Sequence, residues 1–344
     1  MTYINRNIPR TQLPVELTVR PTSTFFRDYF MGGGEEFFPT ENVEWDSVIQ
    51  GSPMARFVGE GLEVEATERA PFNTSEIKTP YFQEKRILSG QDNKHRLPGE
   101  NIYQPQTDAE RAAVHLANDR EFCIRSIDNR IEYMCAQFIT SGVVPIVGHG
   151  VNRKIDYGLQ NKEVLTGGDR WGQTGVSILE YMIRKVDILN QLGHGVEDVI
   201  LSQQAWEALR DDEEIYKLLD NRRFELGTLA PEQSKYGKAQ YLGTLTDPFV
   251  NLYKYNFQWT IGNKRVKPLP DGYVIFVSET AKTNKTGYGA YTYIDETDEF
   301  RTIEGAYIEE RHTDRRGKKK EIIVTSRAVP IPADISSWYV AKVV

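Results

Sequence analysis

The feature that most constrains this chain is the stretch from Thr107 to Gly142, which no Pro or Gly interrupts between its ends. Thr107 and Glu110 have the spacing of a capping box, in which each side chain satisfies a backbone N–H of the first helical turn. Gly142 suits the left-handed residue that ends a helix. At ~1.5 Å per residue the predicted helix is roughly 50 Å long, more than a compact core needs. On length alone, a generic role as a coiled-coil segment or scaffold helix is as well supported as a more specific one.

The periodicity of this stretch predicts an apolar face and a polar face. We expect the apolar face to comprise Ile124, Ile127, Ile131, Met134 and Phe138, and to continue towards the N-terminus through Ala113 and Ala117. We expect water or a polar neighbour to meet the face with Arg111, Asp119, Arg125, Asp128, Asn129, Glu132 and Gln137.

Composition describes a chain with a sizeable core and no membrane segment. A length of 344 residues favours about two domains. No run of about 18 apolar residues occurs, and the N-terminus lacks the apolar core of a secretory signal. Cys123 and Cys135 lie about 18 Å apart along the predicted helix, too far for a disulfide, so we expect synthesis in a reducing cytoplasm. A net charge of −7 disfavours nucleic-acid binding as the main task.

The residues before position 54 read as an arm. Pro9, Pro14 and Pro21 interrupt any early helix. An aromatic cluster follows, and it must lie either on the chain's own core or on a neighbouring subunit. Its members are Phe25, Phe26, Tyr29, Phe30, Phe37 and Phe38. Gly32–Gly34 lacks the Gly-Lys-Ser/Thr ending of a phosphate loop, and we interpret it as a flexible joint.

Residues 54–104 alternate polar and apolar side chains, which predicts extended strands. This segment is also highly charged, and such a hairpin is marginal without a partner surface. Its charged residues include Arg56, Glu63, Glu65, Arg69 and Lys78.

The remainder of the chain predicts a mixed α/β unit followed by strands. Two strands flank the turn at His149-Gly150, and from Val176 to about Lys285 an amphipathic helix alternates with buried strands. Ser202 is the expected cap of a further helix, and residues 212–220 predict more helix. From Gly287 onward the β pattern returns and ends in the strand that begins at Trp338. The fold class is therefore α+β.

Patterns typical of catalysis or cofactor binding are missing from the sequence. None of the five His residues stands at metal-ligand spacing, and no Gly-x-Ser-x-Gly elbow occurs. Both Cys residues fall mid-helix, where no helix dipole activates the thiol. The acidic run Asp295–Glu299 fails the EF-hand pattern. These observations argue against an enzyme and against a metal or cofactor.

The order of parts resembles the major capsid proteins of tailed bacteriophages with the HK-97 fold, and most closely the lambda-type, E-type family. The resemblance covers essentially the whole chain. It is carried by FFRDYF…FFPTENV, SPMARFV followed by GEG, RAPFNTSEIKTPYFQEKRIL leading through LPGE into the long helix, GYVIFVSE followed by TGYGAY, and SRAVPIP. The basic run from Arg315 to Lys320 departs from the family pattern.

The resemblance implies an architecture and a role. It implies an N-terminal arm (1–53), an extended β-hairpin or E-loop (54–104), a peripheral domain with the spine helix (105–168 and 287–335), and an axial domain (169–286 and 336–344). The arm aromatics and the loop charges named above would then make inter-subunit contacts. The resemblance further implies hexamers and pentamers that close an icosahedral shell around double-stranded DNA, with portal, scaffolding and decoration proteins as partners. It implies a virion protein that is made and assembled in the bacterial host cytoplasm.

Two other functions stay open at this point. An encapsulin-like compartment has the same fold, although an encapsulin is expected to begin with a cargo-docking helix and not with an extended arm. A soluble enzyme that dimerises through the long helix is the second alternative, and the mass of the assembly distinguishes it from a shell.

The basic run is predicted to form the tip of a β-hairpin around the turn Thr313–Gly317. The tip carries Arg315, Arg316, Lys318, Lys319 and Lys320. It has three possible partners: packaged DNA, an acidic patch of a neighbouring subunit such as Asp211–Glu214 or Asp295–Glu299, or solvent alone. We favour the neighbouring subunit because the chain is acidic overall and a capsid must let its genome slide.

Overall fold

The computed structural model describes residues 23–48, 72–95, 107–148, 150–212, 215, 239–261, 264–294 and 299–344. The helices in these ranges, in chain order, are α1 (Phe25–Phe30), α2 (Asp108–Ser141), α3 (Ile178–Gln191) and α4 (Gln203–Arg210). The strands are β1 (Glu35–Phe38), β2 (Asn42–Val48), β3 (Phe72–Lys78), β4 (Phe82–Ser89), β5 (Val143–Gly148), β6 (Val151–Asp156), β7 (Lys162–Val164), β8 (Val196–Leu201), β9 (Gln240–Thr246), β10 (Phe249–Lys254), β11 (Trp259–Ile261), β12 (Lys264–Val266), β13 (Tyr273–Ser278), β14 (Lys285–Gly289), β15 (Tyr291–Ile294), β16 (Phe300–Ile303), β17 (Ile308–Asp314), β18 (Lys319–Ser326), β19 (Ala328–Ile331) and β20 (Trp338–Lys342).

The long helix α2 begins and ends at the predicted signals. The Glu110 N–H donates to Thr107 Oγ1 at 3.3 Å, and the Thr107 N–H donates to the Glu110 carboxylate at 2.8 Å, which completes the capping box. Gly142 adopts φ 69°, and its N–H donates to the Phe138 carbonyl. Local sequence therefore sets both ends of the helix, as predicted.

The apolar face of α2 is buried only in its second half. Ile127, Ile131, Met134 and Phe138 are buried, and Ile124 is half-buried against the same core. The expected continuation through Ala113 and Ala117 is wrong, because both side chains are exposed. No side chain of α2 before Cys123 is buried, since this end of the helix extends beyond the core.

A six-stranded sheet has a core on each face. Its strand order is β7-β20-β13-β8-β10-β9, with β8 and β10 parallel, β7 and β20 parallel, and the other pairs antiparallel. Because successive side chains of a strand point to opposite faces, β13 divides its apolar residues between the two cores. Ile275 and Val277 join α1 and α2, whereas Val274 and Phe276 join α3 and α4. Burial on both faces explains the continuous apolar run that this strand shows in sequence.

The helices and strands of the α/β unit match the sequence prediction, but the unit begins earlier in the chain than predicted. The predicted helix stripe, Ile178, Met182, Val186 and Leu189, is buried on α3. Ser202 caps α4 through a bond from the Ala205 N–H, as predicted. The sheet already includes β7, so it begins before the expected axial boundary at residue 169. The predicted helical turns at 212–220 lie outside the described residues, apart from positions 212 and 215.

Smaller sheets attach the arm and the extended segment to later strands of the same chain. The first is β1-β14-β19, in which β1 runs parallel to β14. The second is β17-β18-β4, whose strand β4 also packs against α2. The pairs β2–β3, β5–β6, β11–β12 and β15–β16 complete the described strands. The extended segment thus obtains a partner surface for β4 within its own chain.

Candidate subunit-contact surfaces

The aromatic residues of α1 lie inside the chain's own core. Phe25, Phe26, Tyr29 and Phe30 are all buried, and the rings of Phe25 and Phe26 contact Tyr255 at centroid distances of 4.8 and 5.4 Å. The expectation that these four side chains contact a neighbouring subunit is therefore wrong for this structure, because folding of the single chain already buries them. The other expectation, that the arm lies on its own core, describes them.

The two later aromatics of the arm differ from this group. Phe37 is exposed and stacks on Tyr288 at 5.3 Å, and Phe38 is half-buried against the core. Both belong to β1, which pairs with β14 of the same chain. Of the six predicted arm contacts, Phe37 presents the most apolar surface to a neighbour.

The triple glycine after α1 is a point of close backbone approach. The Gly32 N–H donates to the Lys282 carbonyl at 2.9 Å, and the Gly33 N–H donates to the Asn284 carbonyl at 3.0 Å. A Cβ at Gly32 would lie 2.6 Å from the Lys282 oxygen, and one at Gly33 would lie 2.2 Å from the Thr283 oxygen. The interpretation as a flexible joint is wrong, because two of the three glycines are required by packing.

Glu132 joins the long helix to α1. Its two carboxylate oxygens each accept one backbone N–H, from Phe26 and from Arg27, at 2.8 Å. Loss of hydration raises the pKa of this buried carboxyl to about 8, although the two N–H bonds favour its charged form. The sequence assigned Glu132 to the polar face; that face is instead covered here by α1.

Arg27 adds a second, half-buried connection between α1 and α2. Its guanidinium pairs with Asp128 at 3.0 Å and with Glu35 at 2.8 Å. The Tyr307 hydroxyl also donates to Asp128, which brings the segment before β17 to the same place. Asp128 is therefore part of an internal network, and the polar neighbours that meet it are Arg27 and Tyr307 of its own chain.

Asp198 on β8 holds α1 from the side of the six-stranded sheet. The Tyr29 hydroxyl donates to its carboxylate, and Lys282 pairs with it at 2.6 Å. Asn251 donates to its other oxygen at 2.9 Å. Since Glu132 belongs to α2 and Asp198 to the sheet, α1 connects two parts of the chain that are distant in sequence.

The base of the extended segment carries the one predicted loop contact that the structure describes. Lys78 is exposed and pairs with Glu41 at 3.1 Å, and Arg327 pairs with the same carboxylate at 3.1 Å. Hydrogen bonds from Arg327 and Lys78 lower the pKa of Glu41. Four further predicted loop contacts lie outside the described residues: Arg56, Glu63, Glu65 and Arg69.

The basic run forms a hairpin tip, as predicted. Strands β17 and β18 pair in register from Ile308 to Asp314, and the Asp314 carboxylate accepts the N–H groups of Arg316 and Gly317. All five cationic side chains of the tip are exposed. Within the described ranges none of the five forms a salt bridge, so the tip carries uncompensated positive charge on an acidic chain. Of the acidic patches considered as partners, the described residues are Asp211, Asp212 and Glu299.

Among the described residues, the most exposed large apolar side chains lie on three different hairpins. Phe300 on β16 is 79% exposed, Phe249 on β10 is 73% exposed, and Val147 on β5 is 72% exposed. Ile294 lies directly opposite Phe300 and is 53% exposed, so these two side chains together form one apolar surface. Contiguous apolar surfaces mark contact sites with other chains, whereas single exposed apolar side chains are ordinary. The sequence signal for them was present but unspecific, because alternation predicts a strand without indicating which face a neighbour covers.

The described residues offer no catalytic constellation. Among them, no group of three or more His, Cys, Asp or Glu side chains has a metal-binding arrangement. Burial raises the pKa of the Cys123 thiol to about 11, and it raises the pKa of Cys135 as well, so neither is a poised nucleophile. None of the helices in the described ranges is long and apolar enough to cross a membrane.

A long helix braced by an N-terminal arm, an extended β segment joined to a small sheet, and a separate α/β core define the HK-97 class of capsid shell proteins. The chain belongs to the phage major capsid protein E family, which it matches over residues 11–343. It is therefore a structural protein of the phage head that assembles with copies of itself, and its role is not catalytic. None of the curated proteins matches the chain.

Solved structures show the same fold at low sequence identity. A chain described as a capsid protein of a prophage of E. coli CFT073 superposes with a TM-score of 0.64 at 18% identity, over 94% of this chain and 93% of that one. The capsid of Myoviridae phage XM1 gives a TM-score of 0.51 at 9% identity, over 100% and 99% of the two chains. The capsid of cyanophage P-SCSP1u gives 0.51 at 8% identity, over 99% and 92%.

Proposed function

We propose that copies of this chain form hexamers and pentamers that close an icosahedral shell around double-stranded DNA. One observation carries this proposal beyond family membership: three separate hairpins each expose a large apolar side chain at more than 70% of its surface. A two-fold dimer covers one self-complementary patch, whereas closed shells use several different contacts per subunit. Exposed apolar side chains on three separate hairpins fit a subunit with several neighbours.

The resemblance supports a division of this work among the parts of the chain. Residues 105–168 and 287–335 act as the peripheral domain, and residues 169–286 and 336–344 act as the axial domain that meets at the five-fold and six-fold positions. Residues 54–104 reach a neighbouring subunit as the E-loop, and Phe37 contributes from the arm. The buried aromatics of α1 fix this part of the arm to its own subunit.

The same proposal names the other partners and the place of assembly. A shell that packages a genome needs a portal, and scaffolding and decoration proteins assist related heads. We place assembly in the bacterial host cytoplasm, because a reducing compartment suits the free, buried thiols of Cys123 and Cys135. The encapsulin alternative receives less support, because the family matched over nearly the whole chain is a phage capsid family.

Mass and contents of the assembly test this function. The purified chain should form closed particles in negative-stain micrographs, and particles from phage lysates should contain DNA that nuclease cannot digest. A species no larger than a dimer under all assembly conditions would overturn the shell. Closed particles that enclose a specific protein and no DNA would favour the encapsulin-like compartment instead.

A further inference from the structure

A pocket lies between the basic hairpin tip and the first turns of α2. The cavity measures about 350 Å³. Its apolar floor comprises Leu88, Ala109 and Ala112. Its rim carries four cations and two carboxylates, and is therefore net positive: Arg315, Lys318, Lys319 and Lys320, with Asp108 and Asp314. A cavity of roughly 150 Å³ is enough to hold benzene, so this one has room for an aromatic side chain.

The electrostatics of this pocket select an acidic occupant. The four cations of the rim form no salt bridge within the described part of the chain. The N-terminus of α2 at Asp108 adds positive dipole potential on the same side, which also favours negative charge. The apolar floor and the net positive rim together favour an acidic segment that bears a large apolar side chain.

The β15–β16 hairpin has these properties. Ile294 and Phe300 are directly opposite one another, so their side chains project from the same face. The Thr292 and Thr302 hydroxyls, 2.9 Å apart, lie on that face as well. The segment that joins the strands is acidic in sequence, and Glu299 at its end is exposed.

The inner side of this hairpin is fixed to its own subunit. The Tyr291 ring stacks on Tyr81 at 5.8 Å, and its hydroxyl donates to Glu310 at 2.7 Å. The outer face with Phe300 is therefore presented on a braced element and not on a loose loop, which lowers the entropy cost of binding. Phe300 is 79% exposed within its own chain, so it does not occupy the pocket of that same chain.

We propose that the pocket beside the basic tip receives the apolar end of the β15–β16 hairpin from a second copy of this chain. The apolar pair lies on the floor, and Glu299 beside it faces the cationic rim. Such a contact joins two different surfaces, so it runs head to tail, and it forms a ring where the rotation between copies closes. The inference rests on the proposed function, since it requires neighbouring copies in a shell.

Thiol cross-linking in assembled particles tests this contact. Phe300→Cys combined with Ala109→Cys places one thiol on the hairpin and one in the pocket, while native Cys123 and Cys135 are buried and should not react. A short bis-maleimide should link chains head to tail and give a ladder of multimers on a denaturing gel. The matched control replaces Phe300→Cys by Phe249→Cys, which is similarly exposed on a different hairpin.

The outcomes separate this inference from the proposed function. A ladder from the first pair and none from the control supports the contact. Particles without a ladder overturn the contact and leave the shell function standing, whereas absence of particles from the unmodified chain overturns the function itself. As a second measurement, Phe300→Ser should raise the critical concentration for assembly roughly tenfold, because one buried aromatic is lost from each contact. An unchanged critical concentration in a folded Phe300→Ser variant would also contradict the proposal.

Discussion

Folding removes the Glu132 carboxylate from water and gives it two backbone N–H groups in exchange. The raised pKa, about 8 against an ordinary 4.5, means that the folded chain binds this proton more tightly than the unfolded chain does. Stability from this group is therefore fully present below pH 4.5 and is lost as the pH rises towards 8. The packing of α1 against α2 therefore depends on the protonation state of Glu132.

We predict that Glu132→Gln removes this pH dependence. In free subunits the unmodified chain should lose on the order of a few kcal/mol between pH 5 and 9 from this group, and the variant should not. Urea unfolding at several pH values measures the difference. Glu110→Gln is a suitable control, because hydrogen bonds from Thr107 lower the pKa of Glu110 and its contribution is lost in the opposite direction, as the pH falls. Equal slopes for the unmodified chain and Glu132→Gln would refute the assignment.

A second prediction compares one new carboxylate at two positions along α2, one inside the core and one beyond it. Ile127 is buried, so Ile127→Asp should give insoluble or unfolded protein, since an unpaired buried charge costs several kcal/mol. Ala117→Asp on the same helix is exposed and should change the free energy of unfolding by about 0.5 kcal/mol or less. Circular dichroism and solubility report the outcome. Normal folding of Ile127→Asp would mean that the buried face is misassigned.

At the scale of elements, sequence predicted those whose signals are local. The caps Thr107 and Gly142 and the stripe of α3 lie within a few residues of what they control, so periodicity and capping rules found them. The helix α1 was not predicted, because six residues have little intrinsic helical stability and this helix depends on burial against Tyr255 and Glu132. Long-range packing of that kind leaves no periodic trace in sequence.

The same distinction explains the contact surfaces. The basic tip was predicted because its charges are contiguous and flank a turn. The pocket beside it was not, because Leu88 and Ala109 come together only when β4 pairs with β18 and packs on α2. Composition shows that the arm aromatics need cover but does not identify the chain that covers them, and the family resemblance assigned them to neighbours.

We predict that Gly33→Ala loosens the junction between the arm and β14. The new Cβ would lie 2.2 Å from a backbone carbonyl, which cannot move aside as a side chain can. Stability should fall by about 1–3 kcal/mol in chemical denaturation, and protease should cut near α1 sooner. Gly305→Ala is the matched control, since its nearest neighbour would be 3.8 Å away and the position has no positive φ. Similar behaviour of the two variants would argue against a packing role for Gly33.

At the scale of the whole molecule, an acidic chain carries one concentrated basic tip. Charges at the rim of an interface mostly set association rate and specificity, and salt screens them within about 8 Å at physiological strength. The tip is therefore suited to guide one copy towards another before apolar surfaces meet.

We predict that Lys318→Glu, Lys319→Glu and Lys320→Glu together slow or block shell assembly while the subunit stays folded. Added salt should slow the unmodified chain and partly relieve the variant. Light scattering follows assembly, and circular dichroism checks the fold. Glu at the exposed positions Lys154, Lys162 and Arg170 makes the same change in net charge elsewhere and should have a smaller effect. Normal assembly of the tip variant with loss of packaged DNA would instead indicate that the tip faces the genome.

The position of β20 in its sheet affects how a subunit is made. This strand lies between β7 and β13, and Trp338 at its start donates its indole N–H to the Ile139 carbonyl near the end of α2. A ribosome must therefore finish residues 338–342 before the six-stranded sheet and its junction with α2 can close. Nascent chains on the same messenger RNA lack β20 until synthesis has passed this point. The surfaces that depend on β20 therefore form only afterwards.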